Sequence, residues 1–358
     1  MKAGHKFFCG LILSLVLISV SCLFAKEDLI FAVTLIRHGD RTPTGKIKSS
    51  PHKWKIGVGE LTSLGMNQHF KLGTKLRKRY VNQLKLLPVK YINNEMYVRC
   101  TDFNRTIQSA ESLLNGLYPL GLGPLLRNGD PAMPAAVQPI PLRTMPVVQD
   151  DLLLAKDAHI DKFNEMCEKY VYTDKAWIDK QNELKPNFKK WSEIFGSEIN
   201  NLVDLMSIAD NINVRLRNGV SLPEGLSKKD ASKLIKLAEW AQAQQFKPKV
   251  IGDYLGSKFL VQLKDDMMKA VQDKQQYKYI LYSGHDSSIL PVMSALGVPL
   301  DFNPPYASNV CFELYKDGDN YFVKVRFNGK DVDLISGQKQ CSIDDFSKIV
   351  QKSKDGAK

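Results

Sequence analysis

Residues 28–43 read DLIFAVTLIRHGDRTP, and this stretch decides the fold. Its first nine letters, Asp28 to Ile36, form an almost unbroken apolar run rich in branched side chains. Such a run is typical of a strand that is buried on both faces of a sheet. Arg37 and His38 follow at once, so they lie at the carboxyl end of this strand. Because open α/β sheets form their binding sites outside the carboxyl ends of strands, the stretch predicts both a central strand and a polar site beside it.

The composition describes a globular protein with an excess of positive charge. The chain has 358 residues, of which 44% are hydrophobic and 25% are charged. This composition excludes global disorder, a collagen-like repeat and a polytopic membrane protein. The formal net charge of +12 favours anionic partners, namely phosphate esters, nucleic acid or an acidic membrane surface, without choosing among them.

The first 25 residues have the three-part pattern of a secretory signal peptide. A short basic start precedes the apolar run Phe7–Val20, small residues follow, and polar sequence resumes at Lys26. The run is shorter than the roughly 20 residues that a membrane-spanning helix needs. The alternatives are an uncleaved anchor and a lipoprotein site at Cys22. We expect removal of the signal and export to the periplasm or the medium, with no membrane anchor left on the mature chain.

Four cysteines follow the signal: Cys100, Cys167, Cys311 and Cys341. In an exported protein they are expected to form disulfide bonds, with three possible connectivities. The chain has no Cys-x-x-Cys motif and no cluster of His with Cys, so we expect no metal site.

Secondary-structure signals divide the rest of the chain. Helical spacing is expected from Leu61 to Tyr80 and over Thr101–Leu117, and short strands over Met96–Val98 and Tyr277–Ser283. A proline-rich connection and a Lys-rich helical stretch lie between them, a β-hairpin turns around Asp317-Gly318, and the polar residues 351–358 are expected to fray. The predicted organisation is a signal peptide (1–25), the first half of an α/β domain (26–150), an inserted helical domain (151–248) and the second half of the α/β domain (249–358).

The first group of chemically informative residues is Arg37-His38-Gly39-Asp40-Arg41. Arginine presents a planar fork of donors that matches phosphate oxygens and stays charged at any working pH. A neutral imidazole between two such forks can attack the electrophile they hold and form a covalent intermediate. The alternative is a basic turn in solvent.

Two later groups complete the expected site. Arg105 lies near the start of the helix after the second strand, where helix N–H groups also attract anions; alternatively it is a surface arginine paired with Asp102. His285 and Asp286 end the later strand. His285 can donate a hydrogen bond to a phosphoryl oxygen, and a carboxyl group beside a leaving oxygen is a suitable general acid. The alternative for Asp286 is that it only caps the following helix.

Together these segments resemble the histidine acid phosphatases, which form branch 2 of the histidine phosphatase superfamily. The resemblance rests on RHGDRTP from Arg37, RTIQSAES from Arg105 and HDSS from His285, in that order. Residues 57–80 and the stretch Pro304–Ser308 are similar to those of the prostatic and lysosomal members. The family implies a mixed, largely parallel sheet with helices on both faces and a small inserted helical domain.

The resemblance also implies residue roles and an activity. His38 is expected to be the phosphorylated nucleophile and Asp286 the proton donor, while the phosphoryl group is bound by Arg37, Arg41, Arg105 and His285. We therefore expect a metal-independent and cofactor-independent acid phosphatase that acts on small phosphate monoesters. The arginines should lower the pKa of His38 while Asp286 keeps its proton, which predicts an acid optimum.

Two other functions remain open at this point. A phytase or sugar-phosphate phosphatase of the same family would use lysines of the insert for further phosphates. A cationic surface-binding protein would use the net charge to hold nucleic acid or an anionic polymer, but no nucleic-acid-binding motif is present. The single N-glycosylation pattern, at Asn104, lies inside the expected site, and this favours a bacterial source. A homodimer is possible.

Overall fold

The computed structural model describes residues 27–358, and the expected signal peptide lies outside the described residues. Within that range one seven-stranded sheet has the strand order β2-β3-β1-β4-β5-β6, with β7 paired to β5. The strands are β1 (Asp28–Arg37), β2 (Met96–Cys100), β3 (Tyr279–Gly284), β4 (Asn309–Asp317), β5 (Asn320–Phe327), β6 (Lys330–Val332) and β7 (Cys341–Ser342). The α-helices are α1 (Ser63–Leu76), α2 (Asn104–Leu117), α3 (Ala155–Ala158), α4 (Ile160–Tyr170), α5 (Lys175–Phe195), α6 (Leu202–Arg217), α7 (Lys228–Phe246), α8 (Lys249–Val271), α9 (Asp286–Ala295) and α10 (Ile343–Gly356).

The parallel part of the sheet consists of β2, β3 and β1. In this register Arg37 lies opposite Gly284, and Cys100 lies opposite Ser283, so the carboxyl ends of all three strands meet at one edge. The strands from β4 onward pair antiparallel to their neighbours. The predicted mixed sheet is confirmed, but its parallel part is smaller than expected because the β4–β5 hairpin and the short strands beyond it fill the other half.

Helices cover both faces of the sheet, as the double burial of β1 predicts. Ala32 and Ile36 point into a core shared with α1 and α2. Val33 and Leu35, on the opposite face, point into a core shared with α8, α9 and α10. Alternate residues of one strand therefore serve two apolar layers, and this explains why the strand sequence is apolar without a break.

A third core lies among α4, α5, α6 and α7. Phe163 stacks on Phe246, and Trp177 stacks on Trp240. Helix α8 joins this core to the sheet, because its start contributes Ile251 to the helical core while its later turns pack on the sheet. Within residues 27–358, every helix falls short of the length and apolar character that crossing a membrane requires.

Two helix boundaries differ from the expectations. Helix α1 ends at Leu76, and the chain continues as a π-helix over Arg77–Gln83 rather than as further α-helix. The C-terminal residues do not fray at 351: α10 runs to Gly356 with Phe346, Val350 and Ser353 buried on one face. That face packs on α8. The polar composition of the segment gave no indication of this packing.

The expected disulfide bonds are absent from residues 27–358, where all four cysteines are free and buried. Cys100 and Cys311 lie in β2 and β4, which are three strand spacings apart, or about 14 Å. A disulfide needs Cα atoms within about 7 Å. Cys341 lies across β5 from Cys311, and Cys167 belongs to the helical core. Burial raises the pKa of Cys100 and of Cys167 to about 12, so these thiols are protonated and unreactive.

Candidate active site

The carboxyl ends of β1 and β3 bring the two sequence-distant histidines together. The ring centroids of His38 and His285 lie 5.3 Å apart in an edge-to-face arrangement, and both side chains are buried. Nη2 of Arg37 lies 2.8 Å from Oδ2 of Asp286, so the charged neighbours of the two histidines also meet. The parallel β1–β3 register is the reason, because it aligns the ends of both strands.

The loop after β1 is held close to α1. A Cβ atom at Gly39 would lie 2.5 Å from the backbone oxygen of Gly65, a contact that only glycine avoids. Asp40 holds the same loop in place through hydrogen bonds. Its Oδ2 accepts from Thr62 Oγ1 at 2.7 Å and from Asn218 Nδ2 at 3.2 Å. Thr62 is the N-cap of α1, so one buried carboxylate joins the loop, that helix and the end of α6.

His38 is oriented by its neighbour Gly39. Its Nδ1 lies 2.8 Å from the Gly39 carbonyl oxygen. Because a carbonyl only accepts, Nδ1 carries the proton and Nε2 keeps its lone pair. Burial is the largest cause that holds the pKa of His38 well below its ordinary value, followed by the nearby His285 and then Arg37. The ring is therefore neutral, and its Nε2 is a nucleophile, over a wide acid range.

Three guanidinium groups surround this ring. Arg37 donates to the Pro304 carbonyl oxygen in addition to its pair with Asp286. Arg41 donates to Oδ2 of Asp210 at 2.9 Å. The Nε atoms of Arg37 and Arg105 are both buried without a hydrogen-bond partner. Burial together with the charge of Arg41 lowers the pKa of Arg105 to about 10. The site thus holds positive charge that its own carboxylates do not fully neutralise, which favours an anionic ligand.

Asp286 is ionised in this arrangement. Burial raises the pKa of Asp286, but Arg37, the hydrogen bond from Asn303 and His285 together hold it below its usual range. The expectation that Asp286 keeps its proton is wrong for this arrangement, because an arginine from a neighbouring strand pairs with it. Its Oδ1 accepts the Ser287 N–H at 2.8 Å, so one carboxylate oxygen also holds the start of α9.

A cavity of about 410 Å³ opens between the strand ends and the helical region, which comprises α4 to α7. Arg37, Arg41 and Asp286 line one wall, and residues of α6 and α7 line the other. Tyr306 lies at the junction: the Arg37 guanidinium stands 4.5 Å above its ring, and its hydroxyl donates to Asp210 at 3.4 Å.

The structure therefore brings together all six residues expected from the sequence: Arg37, His38, Arg41, Arg105, His285 and Asp286. Sequence reasoning missed Asp210 and Asn303, which fix Arg41 and Asp286. Asp210 lies in a helical stretch without any motif, and no signal could have found it. Asn303 precedes Pro304–Ser308, the stretch that carried a family likeness, so its position was the one available hint.

The comparisons with known proteins agree with this geometry. The family model of the histidine phosphatase superfamily (branch 2) matches residues 28–328. Lysosomal acid phosphatase of Bos taurus is 30% identical over 338 residues, which cover 90% of this chain and 77% of that protein. Prostatic acid phosphatase of Homo sapiens is 30% identical over 312 residues, which cover 85% of this chain and 78% of that protein.

Solved structures with the same fold include a phytase. The apo form of Hafnia alvei phytase superposes with a TM-score of 0.69 at 18% sequence identity, covering 92% of this chain and 97% of that one. At this identity the likeness shows the shared fold.

Proposed function

The chain belongs to branch 2 of the histidine phosphatase superfamily, and from this premise we propose that it is an acid phosphatase that hydrolyses phosphate monoesters through a phosphohistidine intermediate. The observation that carries the proposal is the buried, neutral His38, whose Nε2 is unprotonated and whose ring lies near the charges of Arg37, Arg41 and Arg105. The names of the acid phosphatase relatives support the same activity.

In the first step the phosphoryl group of the substrate binds among the three arginines. Their donors match its peripheral oxygens, where charge accumulates in the transition state. Nε2 of His38 attacks phosphorus, the N–P bond forms, and the bond to the leaving oxygen breaks. Asp286 donates a proton to that oxygen, so an alcohol leaves rather than an alkoxide.

Asp286 must gain a proton before it can donate one. Its ion pair with Arg37 holds the Asp286 carboxylate ionised. A phosphoryl anion that engages Arg37 weakens this attraction and places negative charge nearby, and both effects raise the pKa of Asp286. At acid pH the carboxylate then takes up a proton. Substrate binding, rather than burial alone, therefore raises the pKa of Asp286 so that it can act as the general acid.

In the second step water attacks the phosphohistidine. The Asp286 carboxylate accepts a proton from the water, the N–P bond breaks, and inorganic phosphate leaves with His38 restored. The three guanidinium groups supply positive charge in both steps, so no metal ion is needed for charge neutralisation.

The direct test is hydrolysis of p-nitrophenyl phosphate by the mature chain with excess EDTA, measured from pH 4 to pH 8. The proposal predicts turnover that is greatest on the acid side and is unaffected by the chelator. Loss of activity that added Mg²⁺ or Zn²⁺ restores would contradict the proposed site.

A second candidate is a phytase or sugar-phosphate phosphatase. The cavity beside the site carries two cations, Lys156 from α3 and Arg217 from α6. The Arg217 guanidinium lies 5.4 Å from the centre of the Tyr306 ring. Phytases are also among the structural neighbours. A kcat/KM for phytate well above that for aryl and alkyl monoesters would favour this candidate. A cationic binding protein, by contrast, would hydrolyse none of them.

We also propose the organisation and location expected from the sequence. Residues 1–25 would direct export and be removed; residues 26–150 and 249–358 would form one α/β domain around an inserted domain, residues 151–248. The separate core of α4–α7 supports that division, while α8 contributes to both parts. N-terminal sequencing of the protein recovered from the periplasm or medium tests export, and light scattering of the purified chain tests whether it forms a homodimer.

A further inference from the structure

A second cavity lies behind the loop that borders the active site. It has a volume of about 430 Å³ and lies between α1 and the β4–β5 hairpin. Pro305 and Tyr306 line both this cavity and the one beside the active site. The stretch 304–308 is therefore a wall shared by two cavities, of which the proposed chemistry uses only one.

The second cavity is rich in positive charge. Four cationic side chains line it, and no Asp or Glu does so within the part of the chain that the structure describes. Two of the cations, Arg79 and Arg326, pair with carboxylates of the sheet. The other two, Lys71 and Lys75, are exposed one turn apart on α1 and form no ion pair among residues 27–358. The cavity thus keeps an excess of positive charge, which favours an anionic ligand.

The buried part of this lining is apolar. Leu72 and Leu76 reach it from α1 and Cys311 reaches it from β4, and all three side chains are buried. An inorganic anion would leave these apolar surfaces uncovered, whereas an organic anion with an apolar body would bury them. Apolar walls with a few polar or charged groups are the usual lining of small-molecule sites. The cavity therefore suits an organic anion better than a simple ion.

Two hydrogen bonds connect the lining of this cavity to the active-site loop. Oε1 of Gln68, which lines the cavity, accepts from the Asp40 N–H at 2.8 Å. The Ala307 N–H, on the shared wall, donates to the His38 carbonyl oxygen at 3.1 Å. Ala307 has a φ of 60°, a conformation that alanine rarely adopts and that persists only where surrounding contacts hold it. Contacts on the shared wall therefore help to hold the backbone of the proposed nucleophile.

We propose that the second cavity is a non-catalytic site for an organic anion with an apolar body, and that its occupant strengthens phosphate binding at the strand ends. An occupant packed against Ala307 stabilises the strained conformation in which this N–H holds His38. Phosphate at the strand ends uses the same arrangement of the loop, so each ligand favours the conformation that the other binds. Because coupling between two sites is reciprocal, phosphate strengthens binding of the occupant by the same factor.

The second site rests on the proposed function only in taking phosphate as the ligand of the strand ends. Binding in the cavity itself can be measured without turnover. The probe is anilinonaphthalene sulfonate, an organic anion with an aromatic body whose fluorescence rises in apolar surroundings. It carries no phosphate ester and so is not a substrate. Titration of the folded wild-type protein at pH 7 should give saturable binding at one site per chain.

Charge reversal locates the probe. The double variant Lys71→Glu, Lys75→Glu should weaken probe binding about tenfold or more, because it replaces two attractive charges by repulsive ones. The matched control is Lys185→Glu, Lys189→Glu, which changes the net charge by the same amount at two exposed positions one turn apart on α5. The control should leave probe binding and turnover unchanged. Equal weakening by the two double variants would overturn the site.

Inorganic phosphate tests the coupling and distinguishes the two cavities. Saturating phosphate should increase the affinity of wild-type protein for the probe about fivefold or more. A probe bound among the active-site arginines would instead be displaced by phosphate. Displacement, or an affinity that phosphate does not change, would contradict the proposal.

Two further outcomes keep this site separate from the proposed function. If wild-type protein hydrolyses no phosphate monoester, the function falls, while charge reversal still decides whether the probe binds in the second cavity. If turnover is present and the probe does not distinguish the two double variants, only the second site falls. Melting curves check that each variant folds. Should the glutamate variant not fold, Lys71→Gln, Lys75→Gln takes its place and should also weaken probe binding; unchanged binding there would refute the site.

Discussion

The strand-end region and the helical region on either side of the cavity differ in how their sequences carry function. The strand ends supply His38, Arg37 and Asp286 from short motifs that directly follow buried strands. The helical region, α4 to α7, supplies Asp210 and Arg217 from stretches that show only amphipathic spacing. From this difference we propose that the chemistry belongs to the strand ends, and that the helical region selects among the substrates that bind beside them.

The largest expected effect is that of His38→Ala. Removing the nucleophile eliminates the route to the covalent intermediate, so activity should fall to the background for every substrate, whatever its leaving group. His159→Ala, an exposed histidine at the start of α4, is the matched control and should retain full activity. Steady-state rates with p-nitrophenyl phosphate and an alkyl phosphate measure both. Retained turnover in His38→Ala would remove the basis of the mechanism.

Asp286→Ala should cost less than His38→Ala and should depend on the leaving group. General acid catalysis contributes roughly 10²- to 10⁴-fold, and it is needed most when an alkoxide must leave. Single-turnover phosphorylation by alkyl phosphates should therefore slow far more than phosphorylation by aryl phosphates.

If Asp286 serves only to hold the start of α9, the pattern changes. Both substrate classes then slow equally, and the free energy of unfolding falls by about 1 kcal/mol. Melting curves measured beside the single-turnover rates distinguish the two roles.

Acid should destabilise the strand-end region more than the helical region. His69 lies buried in α1, and burial lowers its pKa from 6.5 to about 4. Between these two values the unfolded chain binds the proton and the folded chain does not, so stability falls as the pH falls. In this pH range, each such histidine lowers the free energy of unfolding by about 1.4 kcal/mol for every unit by which the pH falls.

The measurement is urea unfolding combined with hydrogen exchange, at pH 6.5 and pH 4.5. Protection of α1 and β1 should decrease on acidification by more than protection of α6 and α7. Adding inorganic phosphate should offset part of the loss, because an anion among the arginines stabilises the folded state. Equal loss of protection in both regions would contradict this assignment.

The smallest expected effect comes from the helical wall. Arg217 lines the cavity but has no part in the chemistry proposed for the strand ends. Arg217→Ala should raise KM about tenfold or less for substrates with a second anionic group, consistent with loss of one charged contact. It should leave kcat for p-nitrophenyl phosphate unchanged. Lys175→Ala, an exposed cation of α5, is the control. A large fall in kcat would show that this wall takes part in the chemistry.

Most of the sheet, and the placement of the six candidate residues at its strand ends, were predictable because local patterns encode them. A buried strand produces a long apolar run, and the residues at its end follow directly in the sequence. The ionisation of Asp286 was not predictable, because the decisive Arg37 contact crosses between strands whose sequences lie far apart. The role of Asp210 was not predictable for the same reason, because its partner Arg41 lies far from it in the sequence.

The cysteines show where a general rule fails without geometry. Export makes pairing common, but the rule carries no distances, and the sheet order places Cys100 and Cys311 too far apart. Helix α10 was mistaken for a frayed end because only one residue in three or four of it is buried. Its spacing, Phe346, Val350 and Ser353, is nonetheless that of a helix face.

The most direct test of the division between the two regions is to trap the phosphoenzyme. Wild-type protein and Arg217→Ala would each be mixed with ³²P-labelled monoester at pH 5, quenched in alkali and digested, and the labelled peptide would be sequenced. The account predicts an alkali-stable, acid-labile phosphate on His38 in both proteins, and none in His38→Ala. Label on any other residue, or none in wild-type protein during rapid turnover, would contradict it.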